Sequence, residues 1–348
     1  RDAKYGELWV GRRFTLDEAK ARYQIDTLQL NDFEALLSDG KETLTLRSVD
    51  PAVDPKVKKH DREEEFSIFV SEQRLCKDEY EIREMQAAVD ATALGFNDVI
   101  HAMPAAVETP RGERVLDAAF YGRARILGND LGYNTIVGAG SHACVLHWIR
   151  NDGDVRRGEL VLVDAGVEVE SFYTADITRT LPVDGKFTPA QRALYMLVYE
   201  SQLAGFAAIK PGVLFSEINK ACQAVLAKGL ADMGVLTVSA EESLKPEVGL
   251  HRRWTLHGVS HHLGLDVHDC AQARKDQYLD APLREGMVLT VEPGLYIQPD
   301  DELFAPEYRG IGIRIEDDVV VTADGCRNIS ENIPRHPDEI EKWMKSVL

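Results

Sequence analysis

Five acidic or imidazole side chains lie in aliphatic segments of this chain, where a charged or polar residue is ordinarily disfavoured. The segments read as strands, because each is a short aliphatic run such as Val-Leu-Thr-Val at 288–291. Buried carboxylates are costly unless they are paired or bound to a metal. Four of them near one point carry a charge of −4, which two divalent cations would neutralise, and one imidazole would complete the shell. The set predicts a dinuclear metal site for hydrolysis, formed by Asp164, Asp176, His261, Glu292 and Glu316.

The first two carboxylates flank a turn segment at 168–171, which is centred on residue 170. In an antiparallel hairpin with that centre, residues whose numbers sum to 340 face each other, so Asp164 and Asp176 project on one side. Two carboxylates that close would repel each other, and a cation between them removes the repulsion. The spacing therefore favours a shared metal over two unrelated turn residues.

A second signal is the segment 257–269, which contains four of the ten histidines. In an extended segment, successive side chains point to opposite faces, so only one of His261 and His262 can be a ligand. Further along, Pro293 follows Glu292 and ends that strand. Arg314 shares a strand face with Glu316, where a guanidinium would orient a ligand carboxylate. The acidic pair at 317–318 is interpreted as solvated or outside the ligand set.

These motifs, in this order over roughly residues 74 to 330, resemble the proline-specific metallopeptidases with the pita-bread fold, most of all the bacterial-type aminopeptidase P (Xaa-Pro aminopeptidase) group. The resemblance implies an α+β fold with a pita-bread catalytic domain over residues 74–348. Residues 1–65 would then be the latter part of the family's amino-terminal α/β domain plus a linker.

The resemblance also implies roles for individual residues. Asp164 would bind one metal, Asp176 and Glu316 would bridge both, and His261 with Glu292 would complete the second. A hydroxide between the metals would attack the Xaa-Pro carbonyl, and Glu292 would carry its proton to the leaving nitrogen. Register selects His261 as the ligand, which leaves His262 for the pocket wall. The remaining catalytic or substrate-binding candidates are His147, His257, His268, Tyr296 and Arg314.

The metal and the substrate follow from the same set. Four carboxylates and one imidazole, with no thiolate, form a hard site that suits Mn²⁺ over Zn²⁺, and the resemblance also implies two Mn²⁺ ions. The expected activity is release of the first residue from peptides with proline in second position. A prolidase that cleaves only Xaa-Pro dipeptides would carry the same ligands and stays open. A non-catalytic pita-bread binding module is a third reading, which the complete ligand set disfavours.

Composition restricts the partners. The net charge is −18, and no Lys/Arg cluster offsets it, so nucleic acid and anionic membranes are excluded as expected partners. No apolar run approaches the ~20 residues that a membrane span requires. Five scattered cysteines without a C-x-x-C pair indicate reduced thiols and a cytoplasmic protein. A small amino-terminal segment, together with the resemblance, predicts a homodimer or homotetramer in which a neighbouring subunit narrows the entrance.

Local patterns predict the remaining elements. Residues 7–10 predict a short strand, Thr15 with Glu18 predicts a capping box, and residues 31–40 predict a helix. The alternation over 43–49 predicts a strand, and residues 50–65 predict a linker or loop. Longer helices are predicted over 78–101 and 113–127, from Thr188 to 211–212, and from a cap at Ser216 to about 234.

Overall fold

The computed structural model describes residues 6–37 and 43–348. The chain forms two compact units, residues 1–69 and residues 70–348. No helix in the described ranges is both long enough and apolar enough to cross a membrane. The assignment of residues 1–65 and 74–348 to the two domains of the family stays a prediction.

The first unit contains three short helices, α1 (Glu7–Val10), α2 (Leu16–Tyr23) and α3 (Phe33–Leu37). The predicted capping box is confirmed, because the Thr15 side chain accepts from the Glu18 backbone N–H and the Glu18 side chain accepts from the Thr15 backbone N–H. The predicted strand at residues 7–10 is wrong: this segment is the helical turn α1. The predicted helix over 31–40 is a 3-10 turn followed by α3, and its last three positions lie outside the described residues.

The predicted strand over 43–49 is also wrong, since the structure has a turn at its end instead. Arg47 explains the difference. Its guanidinium donates to the backbone carbonyls of Asp54 (2.6 Å) and Val57 (2.9 Å), and it pairs with Glu63 at 2.6 Å. These bonds curl the segment back on itself. The predicted linker contains a 3-10 turn (Asp54–Lys56) and ends earlier than expected, because helix α4 (Glu63–Gln73) begins at Glu63.

The structure adds two helices to the four predicted for the second unit, and those four are present at the expected positions. Asp78 caps the first of them with a capping box, and Thr188 does the same for the third. The first continues beyond the predicted end at residue 101, through Pro104. Ser216 is the first residue of its helix rather than the cap. The helices are α5 (Glu79–Glu108), α6 (Gly112–Leu127), α7 (Pro189–Ala208), α8 (Ser216–Asp232), α9 (Ala240–Ser243) and α10 (Pro337–Val347), of which α9 and α10 were not predicted.

The strands are short and pair only antiparallel in the described part of the chain. One three-stranded sheet has β3 in its centre and another has β9 in its centre. In chain order the strands are β1 (Asp130–Leu131), β2 (Ile136–Ala139), β3 (Leu160–Ala165), β4 (Val167–Glu168), β5 (Ile177–Pro182), β6 (Val288–Val291), β7 (Gly294–Tyr296), β8 (Gly312–Arg314), β9 (Asp317–Val321) and β10 (Cys326–Asn328). The sheets have the orders β2-β3-β5 and β10-β9-β6, and the pairs are β1-β4 and β7-β8.

Both three-stranded sheets have central strands that are buried along their whole length. Strand β3 is aliphatic up to Asp164, and β9 is aliphatic after its two aspartates. Helices α5 and α6 pack on each other, and so do α7 and α8. The order of helix pair, strands, helix pair and strands therefore matches the two α+β halves predicted from the sequence, with the polar strand ends between them.

Candidate metal centre

A cavity of about 540 Å³ brings the predicted site residues together. Its walls combine carboxylates, imidazoles and one guanidinium with apolar side chains such as Leu146, Ile149 and Val267. The predicted site residues that line it are Asp164, Asp176, His261, Glu292, Glu316, His147, His257, His268 and Arg314. Tyr296, and His262 with its expected place in the pocket wall, do not line it.

Strand ends position the five candidate ligands. Asp164 is the penultimate residue of β3, and Asp176 directly precedes β5. Glu292 follows β6, where Pro293 cannot continue the ladder, and Glu316 lies in the short connection between β8 and β9. His261 is held beside β6, because the Thr290 backbone N–H donates to its carbonyl oxygen at 3.0 Å. Each side chain thus projects from a rigid position.

The hairpin register differs from the predicted one by two residues. Asp164 lies opposite Thr178 and Ala165 opposite Ile177, so paired numbers sum to 342 rather than 340. The tip of the hairpin is longer than a simple turn, with Phe172 in a left-handed conformation (φ 69°). A shift by an even number keeps the face of each side chain. Asp164 and Asp176 therefore still project into one cavity.

Three of the ligands form a compact group. One donor atom from each of Asp176, His261 and Glu316 lies within 4.8 Å of the others. His261 Nε2 is 3.3 Å from Asp176 Oδ2 and 3.5 Å from Glu292 Oε1. Thr178 Oγ1 donates to Glu316 Oε2 at 2.6 Å. These separations suit ligands that share a cation.

Asp164 reaches the group through Tyr133, which sequence reasoning did not identify as a site residue. The phenol hydroxyl is 2.6 Å from Asp164 Oδ1 and 2.5 Å from Asp176 Oδ1. Arg314 holds the other Asp164 oxygen at 2.5 Å. The available signal was the Tyr-x-x-Ile pattern at 133–136, which precedes the strand paired with β3.

The carboxylates lie close enough together to raise one another's pKa values. Burial raises the pKa values of Asp164, Glu292 and Glu316, and the charges of neighbouring carboxylates raise them further, against the opposing effects of Arg314 and His261. Burial alone would lower the pKa of His261, but its contact with Asp176 and the charge of Glu292 raise it to about 9. A divalent cation would offset both the desolvation and the repulsion. The residues present therefore fit a metal centre with oxygen-rich coordination.

His257 has a defined tautomer. Arg314 Nη1 can only donate, and it donates to the Tyr296 hydroxyl oxygen at 3.1 Å. His257 Nδ1 lies 2.9 Å from the Gly258 carbonyl, which can only accept, so the proton is on Nδ1 and the Tyr296 hydroxyl donates to Nε2 at 2.8 Å. Nδ1 also lies 3.5 Å from Glu292 Oε2. Burial, with the positive charge of Arg314, lowers the pKa of His257 to about 4.

Tyr296 lies behind His257 and Arg314, away from the cavity. It is 1 % exposed, and burial raises its pKa to about 12. It contacts His257 and Arg314 rather than the cavity, so a direct contact with substrate stays a prediction.

His268 lies on a loop (residues 264–270), where its ring meets the ring of His261 edge-on at 4.6 Å between centroids. The neighbouring Asp269 is 1 % exposed and pairs with Lys77 at 2.8 Å and with Arg74. Its backbone N–H also donates to the His262 carbonyl at 2.9 Å. The loop is therefore fixed by a buried ionic contact next to the histidine.

The expected position of His262 in the pocket wall is wrong. Its ring faces away from the cavity, is 1 % exposed, and stacks on Phe215 at 5.7 Å and packs on Tyr278 at 4.5 Å. Because side chains alternate along the extended segment, the His262 ring points into a hydrophobic cluster that includes Phe215 and Leu289. Burial lowers the pKa of His262 well below its ordinary value.

The acidic pair at 317–318 is not solvated, because both side chains are fully buried. Asp317 pairs with Arg179 at 2.8 Å. Asp318 Oδ2 accepts from the Asp176 backbone N–H at 3.1 Å, and burial raises the pKa of Asp318 well above its ordinary value. The pair supports the ligands from behind, as the alternative interpretation of the sequence had it.

Residues 83–323 match the model of metallopeptidase family M24. Xaa-Pro aminopeptidase 1 of Streptomyces coelicolor is 49% identical over 347 residues, which cover 98% of this chain and 70% of the relative. Xaa-Pro aminopeptidase of Escherichia coli is 46% identical over 212 residues, 61% of this chain and 47% of the relative.

Solved structures give the same result for the fold. Aminopeptidase P from Escherichia coli superposes with a TM-score of 0.86 at 34% identity, covering 100% of this chain and 81% of that one. Aminopeptidase PepP of Pseudomonas aeruginosa gives 0.83 at 32% identity, with coverage of 100% and 81%. The predicted pita-bread fold and the resemblance to aminopeptidase P are confirmed.

Proposed function

Because this chain belongs to metallopeptidase family M24, we propose that it is an aminopeptidase that releases the first residue from peptides whose second residue is proline. The observation that carries the proposal is the single cavity in which all five ligand residues meet three further histidines. The relatives named Xaa-Pro aminopeptidase, at 49% and 47% identity, support the substrate class.

We infer that the site holds two divalent cations, most consistent with Mn²⁺ because four oxygen ligands and one imidazole form a hard donor set. Asp164 would serve one ion, Asp176 and Glu316 both, and His261 with Glu292 the other. When bound, the ions would supply Lewis-acid polarisation of the scissile carbonyl and a water molecule of lowered pKa.

Glu292 is the proposed proton carrier. Its carboxylate lies at the cavity wall with Oε1 3.4 Å from Thr290 Oγ1 and Oε2 3.5 Å from His257 Nδ1. Burial makes it a stronger base than a solvated glutamate. It would take a proton from the attacking water and deliver it to the proline nitrogen.

The histidines would hold the peptide. His257 is neutral near pH 7, since its pKa is lowered to about 4, and its tautomer is fixed by the Gly258 carbonyl and Tyr296. Its Nδ1–H, which donates to the Gly258 carbonyl here and lies 3.5 Å from Glu292 Oε2, would turn to the developing oxyanion or the proline carbonyl when the peptide binds. His147 and His268 lie on loops at the cavity and would bind the peptide backbone.

The experiment is product analysis with Mn²⁺-loaded protein on Gly-Pro, Gly-Pro-Pro and a longer Xaa-Pro peptide. An aminopeptidase releases the first residue from all peptides that present Xaa-Pro, including the long one. Cleavage of Gly-Pro alone would identify a prolidase, and no cleavage with no bound metal would identify a binding module. Glu292→Gln retains an oxygen ligand but cannot carry a proton, so kcat should fall ~10²–10⁴-fold. A change confined to KM would assign Glu292 to binding.

Assembly and location belong to the same proposal. The first unit exposes large apolar side chains, with Leu8, Trp9 and Leu30 at 92%, 73% and 77% exposure, and these support a homodimer or homotetramer in which a second copy covers them. Light scattering at micromolar concentration tests it, and a monomeric mass at full activity contradicts it. All five cysteines are unpaired, which supports a cytoplasmic location.

A further inference from the structure

One buried carboxylate, Glu113 in the first turn of α6, closes the base of the loop that carries His147. This loop (residues 140–153, the His147 loop) leaves β2 after Ala139 and returns at Gly153. The Ala139 backbone N–H donates to Glu113 Oε1 at 2.9 Å, and the Gly153 backbone N–H donates to Oε2 at 2.6 Å. The Glu113 backbone N–H in turn donates to the Gly153 carbonyl at 3.2 Å. Both ends of the loop are thus joined at one side chain.

The middle of the His147 loop meets the same carboxylate. His142 Nδ1 donates to Glu113 Oε1 at 2.8 Å, and Trp148 Nε1 donates to Oε2 at 2.8 Å. The two rings stack with their centroids 3.9 Å apart. Glu113 is fully buried and accepts four hydrogen bonds, two at each oxygen, from the loop and from Ala139 at its start.

The arrangement leaves no space for a side chain at position 153. A Cβ atom there would lie 2.5 Å from His142 Nδ1 and 2.7 Å from Glu113 Oε1. Asn151 adds a second anchor, because its side chain accepts from the Val137 N–H and donates to the Thr135 carbonyl, both at 2.9 Å. The loop is therefore a closed unit with a polar centre rather than a loose connection.

His147 directly precedes Trp148 and is exposed at the cavity. In the part of the chain that the structure describes, we find no hydrogen bond to its imidazole, so the backbone of the loop determines where the ring lies. Glu113 itself does not line the cavity. We propose that Glu113 is a positioning residue that sets the substrate-binding geometry of His147 through Trp148 and the loop ends; the substrate role of His147 rests on the proposed function.

The first test is independent of activity. Arg150 is an exposed residue of the His147 loop, so trypsin cleavage after it reports loop opening. In Glu113→Gln, the amide NH₂ would face a backbone N–H donor in either orientation, that of Ala139 or that of Gly153, and we expect cleavage after Arg150 to increase at least ~10-fold relative to other sites. Unchanged cleavage would overturn the proposal. If the wild-type protein hydrolyses no Xaa-Pro peptide while Glu113→Gln still increases cleavage after Arg150, the contact between Glu113 and the loop stands and the proposed function is refuted.

The second test is kinetic. Glu113→Gln should lower kcat/KM by about 10- to 100-fold, mainly through KM, because a small displacement of a binding group is costly. In a His147→Ala background, the same substitution should change kcat/KM by less than about 2-fold, since the group on which it acts is gone. Equal fold-changes in both backgrounds would overturn the proposal.

Two further variants separate positioning from stability. Trp148→Phe removes one donor to Glu113 and retains an aromatic ring, so it should lower kcat/KM in the same way but by a smaller factor. It serves as the test variant if Glu113→Gln does not fold. Asp301→Asn is the matched control, because Asp301 is also buried and accepts from an indole, Trp254 Nε1, at 2.6 Å. The fold-change in kcat/KM caused by Asp301→Asn should be the same in the wild-type and His147→Ala backgrounds, so that the two effects multiply. A similar non-additivity for Asp301 would contradict a specific role for Glu113.

Discussion

The buried ion pair between Arg179 and Asp317 gives the sharpest stability prediction. Both side chains are fully buried. Arg179 on β5 donates to Asp317 on β9 and to the backbone carbonyls of Thr178, Glu316, Ile333 and Pro334, at distances between 2.6 and 2.9 Å. It therefore links the sheet that carries Asp164 to the strand that follows Glu316 and to the segment before α10.

Arg179→Met retains much of the side-chain volume and removes the charge. Asp317 would keep its hydrogen bonds from Gln202 (2.8 Å) and Ser330 (2.7 Å), but Arg335 Nε, 3.8 Å from Asp317 Oδ2 and without a hydrogen bond to it, would be its remaining cation. Breaking a buried pair in this way costs about 3–5 kcal/mol. At roughly 2 °C per kcal/mol for a unit of this size, Tm should fall by roughly 6–10 °C.

The measurement is urea unfolding at equilibrium and calorimetry, both in chelator so that metal binding does not contribute. The double variant Arg179→Met with Asp317→Leu should recover part of the loss, because the buried carboxylate is gone while the four carbonyls remain without their Arg179 donor. The control is Arg192→Met, which breaks a partly exposed pair with Asp338 and should cost less than about 1 kcal/mol. A loss below about 1 kcal/mol for Arg179→Met, or a double variant that equals the sum of the single ones, would refute the reasoning.

Three other predictions concern the metal centre and pH. Asp176→Asn or Glu316→Gln should abolish measurable turnover and reduce bound metal below two ions per chain by mass spectrometry; a variant that retains both would contradict shared ligation. Tyr133→Phe removes a hydroxyl that contacts two ligand carboxylates and should weaken metal affinity ~10- to 100-fold in a competition assay, with an unchanged affinity as the contrary result. Burial lowers the pKa of His251 below 6.5, so folded protein resists its protonation and stability falls as pH drops below about 6.5. His251→Gln should flatten this slope in urea titrations between pH 5 and 7, and an unchanged slope would assign the dependence to other groups.

The ligand hairpin illustrates what a sequence specifies well. Alternation decides the face on which Asp164 and Asp176 lie, and this held although the paired numbers sum to 342 instead of 340. The tip of the hairpin could not be placed to the residue, because it depends on the left-handed conformation of Phe172, which is not a glycine and carries no local signal.

Residues whose surroundings come from distant segments were harder to predict. Asp317 and Asp318 have the composition of a solvated doublet, and the partner that buries Asp317 is 138 residues away in the chain. The resemblance leaves His262 for the pocket wall, while its ring belongs to a hydrophobic cluster around Phe215. Tyr133 was overlooked because an aromatic residue before a strand is usually a packing residue.

The contrast between rigid ligands and loop-borne histidines has a consequence for how this scaffold can change. The proposed metal ligands come from the ends of strands in two sheets, so we expect few substitutions there to be tolerated. His147 and His268 instead lie on separate loops, each braced by a single buried acid, Glu113 or Asp269. With the substrate-binding roles proposed for these two histidines, substrate preference can change through one loop and its buried acid at a time, while the proposed metal centre stays the same.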